Sequence, residues 1–103
     1  MATFITTIEY TDRGEHEIQN TTQRAATLAK IAGKMGIEVT DIFWTLGATD
    51  GFLIFDAADD EAAAALVLYL GSLENLHTTT VRAFRAAEMD EILARLPNML
   101  VAV

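Results

Sequence analysis

The stretch that decides the fold runs from residue 37 to residue 57. Ile37-Glu38-Val39-Thr40-Asp41-Ile42-Phe43-Trp44-Thr45-Leu46 is followed by Gly47-Ala48-Thr49-Asp50-Gly51 and then by Phe52-Leu53-Ile54-Phe55-Asp56-Ala57. The outer segments carry the β-branched and aromatic residues that suit strands. The middle segment has two glycines and an aspartate, which make a turn. Two strand-like runs joined by a short glycine-bearing turn form a β-hairpin. Neither run alternates cleanly between apolar and polar. Ile42, Phe43 and Trp44 in one, and Phe52, Leu53, Ile54 and Phe55 in the other, put large apolar groups on both faces, as central strands do.

On the N-terminal side, Ala2 to Tyr10 reads as a first strand, with Phe4, Thr6, Ile8 and Tyr10 on one face. Thr11 to Asn20 is a polar loop with room for a short helical turn. Asn20 or Thr21 then caps a helix in which Ala25, Leu28, Ala29, Ala32 and Met35 recur at helical spacing. Gly36 sits where a glycine stop belongs. On the C-terminal side, Asp59, Asp60 and Glu61 crowd acid at a helix start, where the macrodipole favours it. Ala63, Leu66, Val67 and Leu70 make the buried stripe of that helix. Asn75 to Arg85 reads as the fourth strand, and a third helix runs from about Ala87 to Leu96 before Pro97. The order β-α-β-β-α-β-α is the split arrangement of ferredoxin-like folds: an α+β domain with a four-stranded antiparallel sheet and an extra C-terminal helix.

The chain has 103 residues, enough for one domain spanning residues 1 to 103. It has no cysteine, which removes disulfides, thiolate nucleophiles and cysteine metal sites. Fifteen acids against seven bases leave a net charge of −8, which repels nucleic acid and anionic membranes. The N-terminus does not read as a signal peptide. The longest charge-free apolar run, Ala62 to Leu73, is shorter than the ~20 residues a bilayer requires. A cytoplasmic setting is expected.

Two helices cover one face of a four-stranded sheet. Whichever side is bare carries Trp44 or Phe43 from one strand, and Phe52 with Ile54 or Leu53 with Phe55 from the other. Monomers rarely keep such a patch. Self-association into a homodimer or higher homo-oligomer is therefore expected. The apolar tail Met99 to Val103 is expected to lie along the partner. The competing reading folds the third helix back over that face within one chain.

The stretch Phe43-Trp44-Thr45-Leu46-Gly47-Ala48-Thr49-Asp50 resembles the name-giving motif of the GYD domain family, Gly-x-Tyr-Asp after an aromatic-Thr-Leu-like strand end. Asp59-Asp60-Glu61-Ala62-Ala63-Ala64-Ala65, Thr78-Thr79-Thr80-Val81-Arg82-Ala83-Phe84 and Tyr10-Thr11-Asp12-Arg13-Gly14 resemble it too. The likeness covers the chain up to about Leu96. The tyrosine of the motif is Thr49 here, and a proline common before the acidic helix start is Ala58. The apolar tail also departs from the family pattern. The resemblance implies a dimeric α+β barrel, in which two ferredoxin-like sheets pack face to face. Relatives in the wider superfamily include haem-degrading monooxygenases, small isomerases and binding or stress-response proteins, and fold alone does not choose among them.

Seven residues stand out as ligand-pocket candidates. Asp50 suits a turn, where its side chain bonds to backbone, or a carboxylate at the mouth of a cleft. Trp44 and the adjacent Thr45 suit a core, an interface or a pocket wall. Arg82 lies mid-strand in register with Thr78 and Thr80. It suits an ion pair with an acid such as Glu9 or Asp41, or a bidentate grip on a carboxylate or phosphate in a sheet-sheet cavity. His16 and His77 are the only histidines, and neither has a metal-binding companion at helical spacing. No metal or other cofactor is expected. The readings that follow are a homo-oligomeric binding or accessory module with a small-molecule pocket at the open sheet face, a cofactor-free monooxygenase or isomerase, and a haem-binding protein using His16 or His77.

Overall fold

The structure, a computed structural model, describes residues 1–97. The tail from Met99 to Val103, expected along a partner surface, lies outside the described residues.

The chain forms β1 (Ala2–Tyr10), α1 (Asp12–His16), a 3-10 turn (Ile18–Asn20), α2 (Thr21–Lys34), β2 (Glu38–Trp44), β3 (Gly51–Ala57), α3 (Asp60–Ser72), β4 (Leu76–Ala83) and α4 (Ala86–Leu93). The four strands make one sheet in the order β2-β3-β1-β4, and every pairing is antiparallel. This is the ferredoxin-like topology that the element order predicts.

Local chemistry sets the boundaries. The Asp59 carboxylate accepts from the Ala62 amide at 2.8 Å and starts α3, with Asp60 and Glu61 in its first turn. α2 ends at a left-handed Gly36, with φ +78°. The Ile37 amide bonds back to the Ala32 carbonyl at 2.9 Å, and the Gly36 amide to that of Gly33 at 3.1 Å. This is the Schellman closure, and its usual apolar contact is supplied by the buried Ile37.

Pairing register assigns each strand residue to a face. On one side the sheet carries the rows Val39-Phe55-Phe4-Arg82, Ile42-Leu53-Thr6-Thr80 and Trp44-Gly51-Ile8-Thr78. This face meets the inner stripes of the helices. Phe4, Leu53 and Phe55 pack with Ala32, Ala63, Leu66 and Leu70 into one buried core, and the Phe4 and Phe55 rings stack with centroids 5.4 Å apart. Thr6 is fully buried there, and its hydroxyl is satisfied by that of Thr80 at 2.7 Å.

The other side carries the rows Phe43-Phe52-Thr7-Thr79, Asp41-Ile54-Ile5-Val81 and Glu38-Asp56-Thr3-Ala83, with Glu9 opposite His77 at one end. A register shift at Thr40 keeps Asp41 on this side. No helix among the described residues covers it: Phe43 and Val81 remain 53% and 55% exposed. The single-chain alternative, with the last helix folded across this face, is not what α4 does. Met89, Leu93 and Leu96 are themselves exposed. No helix among the described residues is long and apolar enough to cross a membrane.

Candidate functional site

Two features are candidates, one on each side of the sheet. The first is the open face just described. Its centre is apolar, from Ile5, Phe43, Phe52, Ile54 and Val81, and its rim is acidic, from Glu9, Glu38, Asp41 and Asp56. At one corner the Thr3 hydroxyl donates to Asp56 at 2.5 Å, with Arg85 at 3.8 Å from the same carboxylate.

The second feature is a cavity of about 500 Å3 on the helix side, between α2, α3 and one end of the sheet. Its origin lies in the row Trp44-Gly51-Ile8. The central strand offers no side chain at Gly51, so the floor dips there. Any side chain at Gly51 would force the backbone to shift, because a Cβ would come within 2.7 Å of the Phe43 carbonyl oxygen. The walls are Ile42 and Leu53 from the sheet, Leu28 and Ile31 from α2, and Leu70 and Leu73 from α3. At the mouth, Trp44 Nε1 donates to the Thr21 hydroxyl at 3.0 Å, and the Tyr10 and Thr21 hydroxyls bond at 2.7 Å. The charged lining groups Glu17 and Arg24 are paired with each other. Most of a ligand's contacts here would be apolar, with a few placed polar groups, as in ordinary small-molecule sites.

Of the seven candidates, Trp44 lines this cavity. The other six fall elsewhere, so the structure does not gather them into one pocket. The Asp50 carboxylate accepts from the Tyr10 amide at 2.7 Å, while the Asp50 amide donates to the Ile8 carbonyl at 2.8 Å. Both bonds tie the hairpin turn to the end of β1. Thr45 is bound within the turn, its hydroxyl donating to the Thr49 carbonyl at 2.7 Å. Thr49, where the family motif has tyrosine, thus contributes through its backbone.

Arg82 makes the expected ion pair with an acid, but the acid is Glu88 rather than Glu9 or Asp41. It lies on the helix-side face, away from Glu9 and Asp41, which are on the open face. Its guanidinium donates to Glu88 of α4 at 3.0 Å and to the Thr3 carbonyl at 3.3 Å, and sits 4.5 Å from the Phe84 ring centroid. Glu88 lies six residues on, within the next helix, so strand alternation alone does not find it. The Glu88 carboxylate also accepts from the Arg85 amide at 3.1 Å. That backbone bond first, and the Arg82 guanidinium second, hold its pKa below the ordinary glutamate value. Thr78 is on the same face as Arg82 but nearer the other end of β4.

His16 ends α1, and His77 stands on the open side of β4, beside a shallow depression with Asp12, Arg13 and Glu74. Neither imidazole lines the large cavity, so a haem seated there would lack a histidine ligand. Among the described residues no cluster of His, Asp and Glu has the grouping of a metal site. Sequence reasoning misses Tyr10 and Thr21 as site residues. The signal is present only in part: Tyr10 shares a strand face with Ile8, but nothing in the sequence joins it to residues 21 and 44.

The model of the GYD domain family matches residues 4–93. Among solved structures, the crystal structure of TTHA0845 from Thermus thermophilus is similar, with a TM-score of 0.56 and 23% identity over 84% of this chain and 96% of that one. At that identity the likeness concerns the fold. A search of curated proteins finds no match.

Proposed function

The chain belongs to the GYD domain family, and we propose that it acts as a homo-oligomeric binding module whose subunits meet through the open sheet face. The observation that carries this reading is the apolar centre of that face, with Phe43 and Val81 more than half exposed. An isologous contact needs one patch that complements itself. Here the rows Phe43-Phe52 and Ile54-Ile5-Val81 are apolar, so a two-fold axis through the sheet sets apolar against apolar. Four strands at ~4.8 Å spacing and ~3.3 Å per residue give a face of roughly 19 by 23 Å. Side-chain relief and the exposed stripe of α4 add to that area, toward the ~800 Å2 per partner of a standard interface. The acidic rim disfavours nucleic acid or an anionic membrane as the occupant. A chain without cysteine suits the cytoplasm.

Binding, rather than catalysis, is favoured by the employment of the candidate groups. Asp50 closes a turn and Arg82 anchors α4, so both have structural partners. The test is Val81→Asp, which places a carboxylate in the apolar centre without touching the core. Light scattering should give a dimeric mass for the parent protein and a monomeric mass for the variant, with the same far-UV circular dichroism. A parent that is monomeric, or a variant that stays dimeric, refutes the reading.

A further inference from the structure

The cavity under α2 faces away from the proposed subunit contact, so its occupant is a separate question. Three observations constrain that occupant. The walls are mostly aliphatic, with the amides of Asn20, Gln23 and Asn75 also in the lining, and the charged groups, Glu17 and Arg24, neutralise each other. A charged ligand would therefore enter without a free counter-charge, at a heavy desolvation cost. The mouth is flanked by the rings of Tyr10 and Trp44, which prefer flat aromatic neighbours.

The third observation is a count of protons. Trp44 Nε1–H is used on the Thr21 oxygen. Tyr10 and Thr21 share one bond, which uses one of their two hydroxyl hydrogens whichever of them donates. One O–H hydrogen of the trio is left over in either arrangement. We propose that this cavity binds a neutral, largely apolar small molecule with a flat aromatic ring and one hydrogen-bond acceptor, met by the Tyr10–Thr21 pair. The volume, about 500 Å3, falls in the range of sites that enclose such molecules.

Trp44 is the single tryptophan of the chain, so it reports on the cavity without labelling. The probe is prodan, a neutral naphthalene with one ketone, titrated into the full-length protein while Trp44 is excited. Saturable binding with energy transfer from Trp44 is expected at one probe per chain. Leu28→Phe and Ala25→Leu each fill the cavity from α2 and should weaken binding at least ten-fold at unchanged melting temperature. The 6-propyl analogue, with a methylene in place of the carbonyl, should bind about ten-fold more weakly, because the leftover hydroxyl then loses its partner.

That last arm has a sign opposite to simple partitioning onto an oily surface, which favours the propyl compound. Equal or tighter binding of the propyl analogue overturns the proposal, as does the absence of saturable binding. Binding lost in Val81→Asp but kept in Leu28→Phe also overturns it, by placing the probe on the open face. Retention of binding by a monomeric Val81→Asp protein is expected, and the outcome for subunit pairing leaves this result untouched.

Discussion

Replacing Asp50 by alanine separates a structural carboxylate from a ligand-binding one. In the structure this side chain accepts from the Tyr10 amide at 2.7 Å, and its own amide reaches the Ile8 carbonyl at 2.8 Å. The pair stitches the β2–β3 turn to the last residues of β1, beyond the point where the β1–β3 ladder ends at Ile8 and Gly51. Alanine keeps the backbone bond but leaves the Tyr10 N–H, in a half-buried position, without its charged acceptor. A lost hydrogen bond to a charged group costs about 1.5–3 kcal/mol. For a domain near this size, about 2 kcal/mol corresponds to a fall of roughly 8–16 °C in Tm. Asp50→Asn keeps an acceptor oxygen and should lose about half as much. The assay is urea unfolding followed by circular dichroism at fixed protein concentration, since any subunit association couples to stability. A change below ~0.5 kcal/mol, the size of an ordinary surface substitution, would refute the structural assignment. Prodan binding should survive at temperatures where Asp50→Ala is folded, because Asp50 does not line the cavity.

Glu88, in the clamp on α4, titrates lower in the folded chain than in the unfolded one. Its bonds to Arg85 and Arg82 therefore stabilise the fold above the unfolded pKa of ~4.3 and are lost as pH falls through the lowered folded value. The stability gap between parent and Glu88→Gln should be full at neutral pH and shrink below about pH 4 in acid-unfolding curves. Gly51→Ala drives a methyl group toward the Phe43 carbonyl oxygen. It should destabilise the fold by about 1–3 kcal/mol and reduce the cavity, read by thermal melting and by prodan affinity. Each chain carries a net charge of −8, so added salt should tighten the proposed self-association, measured as a lower dissociation constant by sedimentation.

Most of the fold is legible because its signals are local. The glycines and Asp50 around the turn, Gly36 at the end of α2 and Asp59 at the start of α3 each act within a few residues. Strand periodicity also sorts residues to faces correctly: Arg82 with Thr78 and Thr80, and His77 with Val81. What periodicity does not supply is which face the helices take. That depends on α2 and α3 packing over Leu53 and Phe55 rather than over Phe52 and Ile54, a choice between two comparably apolar surfaces. The site is less legible for the same reason. Strand position points Arg82 toward a sheet-sheet cavity or toward an acid such as Glu9 or Asp41, without naming the acid it meets. Once the helices take its face, its neighbours are Phe4, Phe84 and Glu88. The cavity depends on a missing side chain at Gly51 beneath residues brought in from α2 and α3. Gly51 reads as a turn glycine, although it is also the first residue of β3.

If the open face receives a second copy of the chain, the mass of the unmodified protein reports it most directly. Sedimentation equilibrium in the low micromolar range should give twice the 11.2 kDa of a single chain, with dissociation on dilution. A mass of one chain throughout that range, with Phe43 and Val81 still open to solvent exchange and labelling, would contradict the pairing.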